Sequence, residues 1–185
     1  MHFEKASAVH QTLVKITRRL DELGIAYAIS GAMAMFFHGV RRFTEDVDIL
    51  VTREGLAEIH RRLEGLGYVS AFTGSKNLRD AETGVRIDFL VTGEFPGDGK
   101  PKPVAFPLPA EAGIQIGGIR FLQLTRLMDL KTASGMTHPG RLKDLGDVQQ
   151  IIQTLGLTRE FAEQLHPYVQ SKYRELWDGV QSHGN

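Results

Sequence analysis

The chain has 185 residues, 42% of them hydrophobic and 24% charged, and its 22 Lys plus Arg are balanced by 22 Asp plus Glu. Zero net charge gives no bulk attraction to nucleic acid or to an anionic membrane, and the absence of cysteine excludes disulfides, zinc–thiolate sites and cysteine nucleophiles. The opening MHFEKASAVHQTLVKITRRL spreads its charges and has no signal-like apolar core, and no apolar run reaches the ~18 residues of a membrane span. The expectation is a soluble, cytoplasmic protein without a membrane partner, folded as one compact domain or one domain with a helical extension.

Residues 3–23 predict an amphipathic helix, because Ala6, Val9, Leu13, Ile16, Leu20 and Leu23 recur at steps of three and four. Gly24 suits its end. Residues 25–30 predict a short strand broken at Gly31, and residues 32–38 a short buried helix ending at Gly39. After a charged turn, residues 47–51 predict a strand. Residues 54–66 predict a second amphipathic helix, on Leu56, Ile59, Leu63 and Leu66, stopped by Gly67. Strands follow at 68–72 and 85–91, then a Gly- and Pro-rich loop over 92–109 with an extended piece near 104–106. Residues 114–121 predict a hairpin across Gly117 and Gly118. Beyond a boundary near Gln123, residues 123–134, 141–155 and 158–177 all predict helix, with Pro167 kinking or dividing the last.

Asp46 and Asp48 stand two apart at the head of a predicted strand, so their carboxylates share a face while Val47, Ile49 and Val51 take the other. Close carboxylates repel, and a divalent cation relieves the repulsion; magnesium accepts a few carboxylates plus water and phosphate oxygens. Asp88, in the apolar run VRIDFLV, is the natural third ligand, with Arg86 on its face. Taken alone, a D-x-D pair is more often a solvated strand end than a site. Upstream, the helix start after Gly31 offers free N–H groups for a phosphate, and glycine allows close approach. Arg42 suits a phosphate, or an ion pair with Glu45 or Asp46. Thr44 suits the ordering of the turn.

The order Gly31, Asp46, Asp48, Asp88 resembles the nucleotidyltransferase superfamily that includes DNA polymerase beta. More narrowly, Gly31, Ala34, His38, Gly39, Arg42, Thr44, Asp46 and Asp48 resemble the AbiEii-like bacterial nucleotidyltransferases, many of them from toxin–antitoxin or phage-defence systems. Ala32 departs from the pattern: it keeps the backbone N–H but lacks the hydroxyl of the usual Gly-Ser turn, which Ser30 would partly replace. LMDLKTASG and GRLKDLGDVQQII resemble the later family motifs. The resemblance implies an α/β nucleotidyltransferase core over residues 1–122, a small mixed sheet with flanking helices, and a C-terminal helical bundle over 123–185 packing on it. It further implies Mg2+ or Mn2+ on Asp46, Asp48 and Asp88, and an NTP such as ATP held by Ser30, Gly31, Ala32, Arg42 and Thr44. Lys131 would contact the triphosphate, and Asp144 would sit near the base or the attacking group. The acceptor would be a hydroxyl of tRNA, protein or a small molecule such as an aminoglycoside, and an antitoxin partner is implied by analogy. Ala32 leaves one alternative open, a nucleotide- or partner-binding module of this fold without turnover.

Overall fold

A computed structural model describes residues 2–182, with side chains described from Ser7 onward. It divides into two compact units. The first comprises residues 1–37, 41–92 and 107–122, and the second 38–40, 93–106 and 123–185.

The first unit begins with helix α1, His2–Glu22. Its apolar stripe buries Val9, Leu13, Ile16 and Leu20, each worth about 2 kcal/mol of apolar transfer. Ala6 of the expected stripe lies outside the described side chains. Strand β1 (Tyr27–Ile29), helix α2 (Gly31–Phe37), strand β2 (Asp46–Val51) and helix α3 (Arg53–Leu63) follow. Thr52 caps α3 by accepting from the Gly55 N–H at 3.0 Å, satisfying one of the donors that a helix start leaves open. Then come β3 (Tyr68–Val69), β4 (Asn77–Asp80), β5 (Arg86–Val91), the single turn α4 (Pro109–Ala112), β6 (Gly113–Ile116) and β7 (Ile119–Leu122). Gly117 and Gly118 take positive φ (59° and 83°) between β6 and β7, the backbone that a two-residue hairpin turn demands.

These strands form one seven-stranded mixed sheet in the order β3-β4-β5-β2-β1-β7-β6. β2 pairs with β5 in parallel and with β1 antiparallel, and β4 pairs antiparallel with β5. One face is apolar and buried: Val47, Ile49, Val51, Ile87, Phe89, Val91 and Leu78. Asp80 also turns to this face. Thr12 and Lys15 of α1 reach its carboxylate at 3.0 and 2.9 Å, so an α1-to-sheet polar clamp sits within the apolar layer.

The second unit is mainly helical: α5 (Leu124–Thr137), α6 (Leu142–Leu155) and α7 (Pro167–Ser182). A 3-10 turn over Pro139–Arg141 precedes α6, and another over Arg159–Gln164 precedes α7. Thus the helix expected over 158–177 is divided at Pro167, which starts α7 where its missing N–H costs nothing. Residues 93–106 remain irregular. Lys102 fastens them by donating to the Pro96 carbonyl at 2.6 Å and to Asp98 at 2.7 Å.

The piece at 104–106 lies in the loop, where Phe106 exchanges backbone hydrogen bonds with Gly93 and Glu94. Two expectations are corrected. The strand expected over 68–72 stops after Val69, and Leu66 and Phe72 on either side are exposed. Helix α3 stops at Leu63 rather than at Leu66, because Glu64 already leaves the helical region at ψ 127°. Among the described residues no helix is long and apolar enough to cross a membrane.

Candidate active site

Asp46 and Asp48 lie on β2 with side chains opposite to the buried Val47 and Ile49, and both are half-buried. In the parallel β2–β5 ladder Asp48 stands directly beside Asp88, and Asp46 beside Arg86. Neighbouring strands run about 4.8 Å apart. All three acidic positions thus share one sheet face on two adjacent central strands. The antiparallel β4 adds Asn77 beside Asp88 and Arg79 beside Arg86.

Above this face the chain turns from β1 into α2. The Ser30 N–H donates to the Asp48 carbonyl at 2.9 Å, and the Ser30 carbonyl accepts from Ala34 at 3.3 Å. Gly31 sits at φ +61°, where a side chain is strained. It also lies so close to Asp48 that a Cβ would overlap the carboxylate, at 2.9 Å from Cγ and 3.1 Å from Cβ. Glycine is thus required twice at this position, and its second reason is the carboxylate itself. Ala32 follows, half-buried, in the first turn of α2.

Thr44 acts on the strand entrance. Its hydroxyl accepts from the Asp46 N–H at 3.2 Å and donates to the Asp46 carbonyl at 3.0 Å, which fixes the backbone from which Asp46 projects. Arg42 is exposed in the same turn. Asp88 is engaged by Arg86, whose Nε donates to Oδ1 at 2.7 Å. Among the described residues no three carboxylate or imidazole side chains stand together as a ready cation cage; the Asp88 carboxylate meets the guanidinium on its own strand. The donor set itself suits a hard cation: carboxylate oxygens on one half-buried face, with no thiol in the chain.

Lys131 and Asp144 meet in the second unit. Lys131 Nζ lies 3.3 Å from Asp144 Oδ1 and 2.7 Å from Asp147 Oδ2. The Ser134 hydroxyl donates to the other Asp144 oxygen at 2.7 Å. All three charged side chains are about nine-tenths buried. The ammonium bridges the two carboxylates and ties α5 to α6.

The sequence reading missed Asn77, Arg79 and Ser134 and gave Arg86 no role. Asn77 and Arg79 were hidden because NLRD has a single apolar residue, Leu78, and no period can be read from one position. Ser134 is three residues beyond Lys131, the spacing that shares a helix face, and that was the available signal.

No family model and no curated protein matches the chain. Its fold does match solved structures. The crystal structure of ANT(2″)-Ia in complex with adenylyl-2″-tobramycin superposes with a TM-score of 0.52 at 14% identity, over 97% of this chain and 99% of that one. The solution structure of the antibiotic-resistance factor ANT(2″)-Ia superposes with a TM-score of 0.59 at 16% identity, over 100% of this chain and 98% of that one.

Proposed function

From a chain that has the nucleotidyltransferase fold, we propose a metal-dependent enzyme that moves a nucleoside monophosphate from an NTP to a hydroxyl acceptor. The observation that carries this reading is the Asp46–Asp48–Asp88 face, with Asp48 packed beneath the Gly31 turn. A fold alone hosts many functions; the pairing of carboxylates with a glycine-led helix start is what supports this one.

Asp46, Asp48 and Asp88 would hold Mg2+ or Mn2+, which supplies charge neutralisation for the triphosphate and lowers the pKa of the attacking hydroxyl. The acceptor oxygen bonds to the α-phosphorus as the bond from that phosphorus to the leaving pyrophosphate oxygen breaks. Asp88 accepts the hydroxyl proton. Ser30, Gly31 and Ala32 would present backbone N–H groups to phosphate oxygens, and Arg42 would add a guanidinium fork. Thr44 acts through the Asp46 backbone. The roles of Lys131 and Asp144 toward the nucleotide rest on the resemblance alone.

For the acceptor, the tobramycin adduct of the structural neighbour favours a small polyhydroxylated molecule over tRNA or a protein hydroxyl. An antitoxin partner rests on the AbiEii-like resemblance alone. Ala32, lacking the hydroxyl of the usual turn, supports the second reading of a binding module without turnover.

The test is label transfer from labelled NTPs with Mg2+ or Mn2+ and cell extract, beside Asp46→Ala/Asp48→Ala. Transfer lost in the variant supports the enzyme. Metal-dependent NTP binding without transfer to any acceptor supports the module, and no such binding sinks both.

A further inference from the structure

The β2–β5 ladder sets four charged side chains in a square on one face: Asp46 beside Arg86, and Asp48 beside Asp88. Three are negative and one is positive. Arg86 is rooted next to Asp46, yet its Nε turns along its own strand and donates to Asp88 at 2.7 Å. It is half-exposed, while Asp88 is mostly covered. A half-exposed guanidinium thus engages one oxygen of the carboxylate that would complete the metal site.

We propose that Arg86 is a positioning residue that holds Asp88 out of metal coordination until a divalent ion takes its place. The proposal rests on the reading of Asp46, Asp48 and Asp88 as a metal site. The physics is competition. A guanidinium on Asp88 Oδ1 repels an arriving divalent cation and takes up part of the donor capacity of that carboxylate. Because Arg86 is half in water, its release exposes no buried charge, so the exchange is cheap in one direction and readily reversed in the other. The released guanidinium stays on the sheet face beside Asp46. Its neighbour Arg79 stands in register with it on β4, but the Arg79 guanidinium donates to the Gly84 carbonyl. Arg79 therefore supplies a nearby positive charge without the contact to Asp88.

The experiment is Mn2+ titration of the full chain, followed by the electron paramagnetic resonance of free Mn2+, with no nucleotide present. Arg86→Ala should bind Mn2+ about three- to tenfold more tightly than the wild type, the range expected when a half-exposed ion pair and its nearby charge are removed. Arg86→Lys, which keeps the charge and loses the planar fork, should fall between. Arg79→Ala should change affinity by about twofold or less. In an Asp88→Asn background the gain from Arg86→Ala should shrink to about twofold or less, because the coupling runs through that carboxylate.

Thermal denaturation of each variant checks that it folds, and Arg86→Gln is a near-isosteric second variant. Unchanged or weaker Mn2+ binding by Arg86→Ala and Arg86→Gln overturns the proposal, as does a gain undiminished by Asp88→Asn. If wild-type binding is meanwhile lost in Asp46→Asn/Asp48→Asn, the metal site itself stands. Mn2+ binding that is independent of Asp46 and Asp48 in every protein overturns both readings.

Discussion

Gly31→Ala isolates the contact on which the site is built. Alanine at φ +61° incurs left-handed strain of about 1–2 kcal/mol. The new Cβ also meets the Asp48 carboxylate, with Cγ at 2.9 Å, so Asp48 must leave its rotamer at a cost of about 0.5–1.5 kcal/mol. Alanine returns about 0.4–1 kcal/mol by restricting the unfolded chain. The net loss of stability should be about 0.5–3 kcal/mol, read from urea denaturation. The control is Gly24→Ala, at φ +65° with nothing within 4 Å of the added Cβ. It carries the same backbone strain without the collision. On the proposed metal site, Mn2+ affinity should fall in Gly31→Ala, because Asp48 has been pushed aside, and should be unchanged in Gly24→Ala. If the two variants lose equal stability and bind Mn2+ alike, the account of Gly31 is wrong.

Asp80→Asn should destabilise the first unit by about 1–3 kcal/mol at neutral pH, a buried-pair value discounted because Lys15 is one-third exposed. Burial alone would raise the Asp80 carboxyl, but Lys15, the Glu82 N–H and Thr12 outweigh it and hold its pKa below the ordinary value. Its stabilisation is therefore complete above the unfolded pKa of about 3.9 and is lost as pH falls through the folded value; the variant should lack that acid-range loss in urea midpoints taken across pH. Asp129 is the opposite case. Burial pushes its carboxyl up, only partly offset by the His166 N–H, so it costs stability as pH rises from about 3.9 through the folded value. Asp129→Asn should flatten that slope, while Asp129→Ala should lose about 1 kcal/mol with the bond to His166. Burial first, and then the charge of Glu160, push the Tyr173 hydroxyl up to about 12. Tyr173→Phe should lose about 1 kcal/mol with the bond to the Thr158 carbonyl and remove the part of alkaline unfolding that sets in above pH ~10. Lys131→Met should be the most disruptive change in the second unit, about 3–5 kcal/mol, because Asp144 and Asp147 are left buried without their cation.

The elements that could be read early are those with a strong period or a hard stop. Leu13, Ile16 and Leu20 announced α1, Gly117 and Gly118 announced the hairpin, and Pro167 announced the break before α7. Asp46, Asp48 and Asp88 could be placed on one face because strand alternation is rigid, and the β2–β5 register then set Asp48 beside Asp88. β4 escaped notice because its burial rests on Leu78 and on Asp80, a charged residue whose side-chain partners Thr12 and Lys15 come from α1. The Arg86–Asp88 contact was present as an i,i+2 pair, but only the register adds Asp46 at its flank. The Lys131 cluster shows the reverse limit. Lys131, Asp144 and Asp147 lay in recognisable motifs, yet their enclosure between two helices depends on the packing of α5 on α6.

The account stands most directly on the fate of the α-phosphate. The protein should be given α-labelled and, separately, γ-labelled NTP with Mg2+ or Mn2+ and a panel of hydroxyl acceptors led by aminoglycosides. Nucleotidyl transfer predicts α-label on an acceptor, γ-label in pyrophosphate, and both lost in Asp46→Ala/Asp48→Ala. Label from the γ position on an acceptor, or α-transfer that survives the double substitution, would contradict it.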